Sequence, residues 1–533
     1  MIHRTNASVT PAAVAFAVTA AAAPGDLPRT PREPRLAARG HLTPLHHRAL
    51  GHAWDGWTLA LEEHPDGAAR AHTGRVSVLL AGELHNRAEL ARATGLGTGA
   101  GTGTGVGTGT GTGPYEGGDA ELLAHAYARY GEHVLRMLNG RYALLLCDGP
   151  LLLAATDHAG GVPLYLHRTG AAVRLATEAK ALLHPGDHTG TPPAGLLPVR
   201  GSQEVRQVPA GTAAVLHLET GAARTFTTWT PSPARHLPTP DQAVTRTREA
   251  LERAVRTRLP AAGTPTAVLS GGIDSSTVAA LAAGAGHGLE TVSMGTDLGD
   301  EFAAARLVAD HLGARHPGLR HTEITLTTGE LLAELPWAVW AAEVTDPDII
   351  EYLLPLVALY RRLDGPPRRI LTGYGADIPL GGMHRHARHL PELDDLVAHD
   401  MAHFDGLNEM SPTLAAIAGH WTTHPYWDRD VLDTLLPLEA GLKHRDGIDK
   451  WVLRRAAADV LPAETVRRPK LGVHEGSGTT SALDRLFLAH GTAPDRVRQA
   501  RRQALDALYD TLVAGPAHPD DIPLDDFLKG LPA

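Results

Sequence analysis

The chain has 533 residues, a formal charge of −10 and 20 % charged side chains, too long for one core and without the basic excess of a nucleic-acid-binding protein. The single cysteine, Cys147, excludes an internal disulfide and points to a reducing, cytoplasmic setting. No run reaches the ~18 uncharged apolar residues that a membrane span needs. The apolar run from Pro11 to Ala23 has the look of a leader peptide, but the expected reading is the first strand of a folded domain.

Up to about residue 225 the pattern predicts a β-rich domain. Val76–Leu80, Tyr142–Cys147 and Leu151–Ala155 are short apolar runs between turn residues, as in stacked sheets. Ala120–Tyr130 has helical spacing through Leu122, Leu123, Ala126 and Tyr127. Residues 95–113 are nearly pure Gly-Thr repeat, with nothing to bury, and are read as a surface insert without chemistry. Thr230–Pro240 is proline-rich and marks a boundary, so the expected domains are 1–228 and 240–533.

Thr239, Pro240 and Gln242 predict a capping box opening a helix, with Val244, Leu251, Val255 and Leu259 on its buried face. The apolar run Ala267–Leu269 then reads as a strand ending in Ser270-Gly-Gly-Ile-Asp-Ser-Ser276, before an alanine-rich helix. Glycines let the backbone approach a phosphate there, and the helix N-terminus with its serines offers donors. Asp274 would repel that phosphate unless a cation lies between them, which points to Mg²⁺. The Gly-Lys-Ser/Thr ending of a Walker loop is absent. Further strands are expected at Leu289–Met294, Ile324–Leu326 and Arg369–Thr372, with a helix over Glu301–Leu312. In such a parallel sheet the ligand sits beyond the strands' carboxyl ends. That brings Val268, Ser270, Gly271, Gly272, Asp274, Ser275, Ser276, Met294 and Gly373 around one nucleotide crevice. From Asp346 onward the chain is expected to be mostly helical.

The Ser-Gly-Gly-X-Asp-Ser loop resembles the pyrophosphate-binding loop of the N-type ATP pyrophosphatases, which include the asparagine synthetases. The earlier stretches Gly82–Asn86, Gly118–Glu121, Asn139–Ala143, Thr156–Tyr165 and Thr177–Lys180 resemble the glutaminase domain of asparagine synthetases. The resemblance implies an N-terminal-nucleophile αββα sandwich followed by a Rossmann-like synthetase domain with additional helices. The departures are informative. Active glutaminases carry a cysteine as the first mature residue and an asparagine before Gly-Glu, where this chain has Ile2 and Ala81. Without nucleophile and oxyanion donor, that domain is expected not to hydrolyse glutamine.

Leu371–Gly382 follows the fourth strand. Asparagine synthetases read Ser-Gly-Glu-Gly-Ala-Asp-Glu there, and this chain has Tyr374 at the glutamate. Together with Val292–Asp297, Asp346–Leu353, Phe404–Met410, Gly419–Trp427 and Arg468–Thr480, this loop resembles the β-lactam synthetases of clavulanic acid biosynthesis. The resemblance implies ATP- and Mg²⁺-dependent adenylation of the β-carboxylate of N2-(2-carboxyethyl)-L-arginine. Attack by the same molecule's secondary amine then gives deoxyguanidinoproclavaminate, AMP and pyrophosphate. It implies Tyr374 and Glu409 as a catalytic dyad, Lys470 as the stabiliser of developing negative charge, and Asp274 with Asp377 as the metal carboxylates. Asp400 is the first candidate for the substrate guanidinium, followed by Asp405 and Asp348. Asp449 and Lys450 are read as structural, and His384, His386 and His389 as solvated surface. A carbapenam-forming or macrocycle-forming ligase, or a silent nucleotide-binding protein, are the alternatives. Partners are expected to be a small amino-acid substrate and at most a second copy in a homodimer, with neither nucleic acid nor membrane.

Overall fold

A computed structural model describes residues 13–21, 57–63, 70–73, 76–96, 117–169, 172–183, 193–231, 238–260, 263–384, 390–404, 408–469 and 471–529. The chain divides into two compact units, with the break between Thr230 and Pro231. The calls on Ile2, Asp405, His386, His389 and Lys470, and on nearly all of the Gly-Thr insert, fall outside the described residues.

The first unit holds two six-stranded antiparallel sheets. One has β1 (Ala13–Ala21), β2 (Trp57–Glu63), β7 (Tyr165–Thr169), β8 (Ala172–Ala176), β9 (Leu197–Pro198) and β10 (Arg206–Gln207), in the order β2-β1-β8-β7-β10-β9. The other has β3 (Arg70–Thr73), β4 (Val76–Leu84), β5 (Gly140–Asp148), β6 (Leu151–Thr156), β11 (Thr212–His217) and β12 (Ala223–Thr227), in the order β12-β11-β6-β5-β4-β3. The run Ala13–Ala21 is therefore a strand, paired on both sides. Strand β5 shows why the run of apolar residues is continuous. Tyr142, Leu144 and Leu146 pack under helices α1 (Arg87–Thr94) and α2 (Asp119–Tyr130), while Ala143, Leu145 and Cys147 fill the space between sheets. Both faces of the strand are buried, so period-two alternation of polarity is lost. Leu122, Leu123, Ala126 and Tyr127 form the buried stripe of α2, as their spacing predicted. Among the described residues α-helices cover one of the two sheets, so the αββα sandwich is seen from one helical side.

The second unit opens with α3 (Pro240–Arg258). Its capping box is formed, with Thr239 Oγ1 accepting from Gln242 N at 3.3 Å and Gln242 Oε1 accepting from Thr239 N at 3.1 Å. Leu251 and Val255 are buried as expected, but Val244 and Leu259 are only half-buried. Ala243, Thr247, Ala250 and Ala254 carry the rest of the face, because short side chains let the helix lie close to its neighbours. A five-stranded parallel sheet follows, in the order β15-β14-β13-β16-β17. Its strands are β13 (Thr266–Val268), β14 (Leu289–Thr296), β15 (Leu319–Leu326), β16 (Arg369–Leu371) and β17 (Trp421–Thr423). The order reverses at β13: successive strands run outward to β15, and the chain then returns to the other side for β16. Such a switch point opens a crevice at the carboxyl ends of the strands.

Helices α4 (Ile273–Gly284) and α5 (Phe302–Gly313) connect the first strands. Helices α6 (Thr328–Ala333), α7 (Leu335–Ala342), α8 (Pro347–Arg361) and α9 (Leu390–His403) follow. The helical region thus starts before Asp346, and β17 interrupts it. Three residues, Trp421, Thr422 and Thr423, are too few for a periodicity signal.

Candidate active site

The candidate phosphate loop is the turn from β13 into α4. Gly271 has φ +74, and a Cβ there would lie 2.4 Å from the backbone carbon of Ala304, so glycine is required on two counts. The serines organise the turn. Ser275 Oγ accepts from Ser270 N at 3.1 Å, and Ser270 Oγ accepts from Gly272 N at 3.3 Å. Ser276 Oγ is buried with no hydrogen-bond partner among the described residues. Val268, Ser270, Met294 and Gly373 are half-buried along the carboxyl end of the sheet. A Cβ on Gly373 would come within 2.5 Å of Ser275 N, so the loop after β16 lies directly on the first turn of α4. The nucleotide-binding candidates therefore gather at the switch point.

The two carboxylates expected to share a metal are joined by a lysine. Lys450 Nζ is fully buried, 2.5 Å from Asp274 Oδ2 and 2.8 Å from Asp377 Oδ1. Burial alone pulls the ammonium's pKa down, but Asp274 and then Asp377 outweigh it and hold it above its ordinary value. Lys450, read from the sequence as structural, is thus the bridge between the two carboxylates. Its flanking turn, Arg445–Lys450, is polar and glycine-containing, with no local pattern that singles out one lysine. Asp274 Oδ1 is buried and has no hydrogen-bond partner among the described residues. Two carboxylates and one ammonium leave a net negative charge, so the charge of the donor set fits a divalent cation at Asp274 Oδ1. It does not fit a metal midway between the carboxylates, where the ammonium already lies.

Tyr374, in the loop after β16, donates its phenolic hydroxyl to Glu409 Oε2. Tyr374 N donates to Thr372 Oγ1 at 3.3 Å, and Thr372 Oγ1 lies 2.7 Å from His424 Nδ1. The His424 ring meets the Tyr374 ring edge-on at 5.5 Å. Glu409 is held by its neighbour Asn408, which is left-handed (φ 58) and donates Nδ2 to Ala342 O at 2.9 Å. Burial pushes the Glu409 pKa up to about 7; a hydrogen bond from Tyr352 opposes this and the charge of Asp346 adds to it. Burial and then Glu409 hold the Tyr352 phenol well above its ordinary value. Tyr352 belongs to the quoted stretch Asp346–Leu353, but its spacing marks it only as a helical residue.

Arg468 reaches the same loop, donating Nη1 to Ser270 O at 3.2 Å and pairing through Nη2 with Glu301 Oε1 at 2.9 Å. Lys470 lies two residues further on, outside the described residues. Asp400, on α9, is engaged by His384, with Nε2 2.7 Å from Oδ2, so His384 is paired where a solvated surface residue was expected. Asp348 is exposed and paired with Arg498 at 2.6 Å.

Comparison with known proteins places the chain in a family. The family model described as asparagine synthase matches residues 246–402 and 396–520, and that of a glutamine amidotransferase domain matches residues 107–184. The carboxyethyl-arginine beta-lactam-synthase of Streptomyces clavuligerus is 52 % identical over 532 residues, 99 % of this chain and 98 % of its own. Glutamine-hydrolysing asparagine synthetases are more distant. That of Arabidopsis thaliana is 27 % identical over 68 % of this chain and that of Zea mays 27 % over 68 %, and this chain spans 63 % and 62 % of their lengths. The chain belongs to the asparagine synthase family, in the group that carboxyethyl-arginine beta-lactam-synthase represents.

Proposed function

We propose that this protein is an ATP-dependent intramolecular amide ligase that closes the β-lactam ring of N2-(2-carboxyethyl)-L-arginine. The family supplies the ATP-dependent amide chemistry. The substrate follows from a relative that matches nearly the whole chain. The observation that carries the reading is the Tyr374–Glu409 hydrogen bond, at a point where the asparagine synthetases have a glutamate in place of the tyrosine.

The β-carboxylate attacks the α-phosphorus of ATP, and pyrophosphate leaves. Ser270–Ser276 and the N-terminus of α4 receive the pyrophosphate, and Lys450 offsets part of the negative charge of Asp274 and Asp377. Asp274 and Asp377 would hold Mg²⁺, which would supply neutralisation of charge on the phosphates. The secondary amine then attacks the acyl carbon, and AMP departs as the ring closes. The amine's proton passes to Tyr374 Oη as the phenol's own proton moves to Glu409. Lys470 is assigned the developing oxyanion. Asp400, held by His384, receives the guanidinium at one face of its carboxylate. An amine built into the substrate needs no ammonia, which accords with Ala81 and Cys147 being buried in the first unit's inter-sheet core. We read residues 1–228 as a degenerate glutaminase-like domain and 240–533 as the synthetase. ATP dependence implies work in the cytoplasm.

The test is pyrophosphate release with carboxyethylarginine, with aspartate and with no amino acid. Release with carboxyethylarginine and a cyclised product by mass is expected. Release with aspartate alone would overturn the assignment.

A further inference from the structure

The cations around the phosphate loop are held by a residue that touches none of the reacting groups. Arg454 lies on the helix Trp451–Ala456 and is 4 % exposed. Its Nε donates to Asp449 O at 2.8 Å and its Nη2 to Asp449 Oδ1 at 2.9 Å. Its Nη1 donates to Val466 O at 2.7 Å and to Arg468 O at 2.9 Å. One planar guanidinium therefore fastens two separate segments, Asp449–Lys450 and Val466–Arg468.

Each segment delivers a cation to the same loop. Lys450 follows Asp449 and bridges Asp274 and Asp377. Arg468 contacts Ser270 O and Glu301. Lys450 also has φ 52, a left-handed backbone that a side-chain-bearing residue keeps only when its surroundings over-determine it. The two Arg454 bonds to Asp449 fix the residue immediately before it. The bonds to Val466 O and Arg468 O satisfy carbonyls at the carboxyl end of the helix Ala463–Arg467, which that helix leaves unpaired. Lysine could not replace this fork, having no planar donors to span both segments.

We propose that Arg454 is a positioning residue that sets the spacing of Lys450 and Arg468 about the phosphates of bound ATP. The inference rests on the nucleotide-binding reading of the phosphate loop given above. Its consequence is specific: loss of Arg454 weakens ATP use and leaves recognition of the amino-acid substrate largely unaltered.

The experiment compares Arg454→Met, Arg454→Lys, Arg468→Met and the Arg454→Met/Arg468→Met double variant with wild type. Folding is checked by circular dichroism and urea titration, and binding of a non-hydrolysable ATP analogue by calorimetry. KM values for ATP and carboxyethylarginine are measured where turnover allows. Arg454→Met is expected to weaken analogue binding by about tenfold, the size of one or two lost charge-assisted hydrogen bonds, with KM for carboxyethylarginine within about twofold. In the Arg468→Met background it should add much less, because one of the two cations it positions is already gone. Unchanged analogue binding, equal effects on both substrates, or simple multiplication of the single effects would each overturn the proposal. If Arg454→Met does not fold, Arg454→Lys and Asp449→Asn are read by the same criteria. If wild type binds the analogue but releases no pyrophosphate with carboxyethylarginine, the functional reading fails while the binding comparison still decides the role of Arg454.

Discussion

Lys450 Nζ lies 2.5 Å from Asp274 Oδ2, in a position where the lysine is wholly buried and the aspartate lies in the first turn of α4. The lysine lets two carboxylates stand close together before any nucleotide arrives. Lys450→Met leaves Asp274 and Asp377 facing each other without their cation. The expected loss is ~3–5 kcal/mol of stability, the cost of breaking a buried pair by removing one partner. Urea denaturation checks it, and an unchanged midpoint would mean that the carboxylates are solvated instead.

Tyr374→Phe removes the hydroxyl that meets Glu409 and leaves the ring against His424. Turnover should fall by ~10²-fold or more, the usual size of a lost general base. Carboxyethylarginine-dependent exchange of labelled pyrophosphate into ATP should persist, because adenylation does not use the phenol. Loss of exchange together with turnover would move Tyr374 to the first step.

The Glu409 carboxyl is pushed up to about 7, by burial first. As the acceptor for the phenol's proton it must be ionised, so kcat should rise with pH through about 7. Asp346→Asn removes a charge that raises this pKa and should move the rising limb to lower pH. Stability has the opposite sign. A carboxyl whose folded pKa lies above its ordinary 4.5 contributes stability that is full below that value and lost as pH rises through about 7. Glu409→Gln should flatten both profiles in that interval.

Lys470→Ala should lower turnover at least ~10²-fold, by analogy with lost oxyanion donors. Single-turnover formation of acyl-adenylate and of product distinguishes which step it serves. Near wild-type rates in both would remove it from the mechanism.

Gly373→Ala introduces a methyl 2.5 Å from Ser275 N, where backbone meets backbone and neither can yield. KM for ATP should rise by an order of magnitude or more as the two loops separate, a larger effect than on KM for carboxyethylarginine. Ordinary ATP kinetics in this variant would show that the loop after β16 is not part of the nucleotide crevice.

Much of this architecture was legible because local signals carried it. The capping box at Thr239, the stripe of α2 and the glycine-rich turn after β13 each lie within a few residues, so short-range spacing suffices to read them. The expectation that the first unit does not hydrolyse glutamine was equally local, since it rests on the side chains at Ile2 and Ala81. Even the Tyr374–Glu409 pair, 35 residues apart in the chain, was reached through two stretches that resemble one family.

What remained hidden depends on long loops closing. Lys450 is 176 residues from Asp274, and Arg468 is 198 from Ser270, so no window of sequence contains either pair. Nothing about an isolated lysine in a polar turn distinguishes a buried bridge from a solvated cation. The sequence by itself determined the glycine- and serine-rich turn Ser270–Ser276 between a strand and a helix, because the signals that mark it are all local. The tertiary structure decided which charges surround that turn, because only folding brings Lys450, Arg468 and the Arg454 fork to the carboxyl end of the sheet.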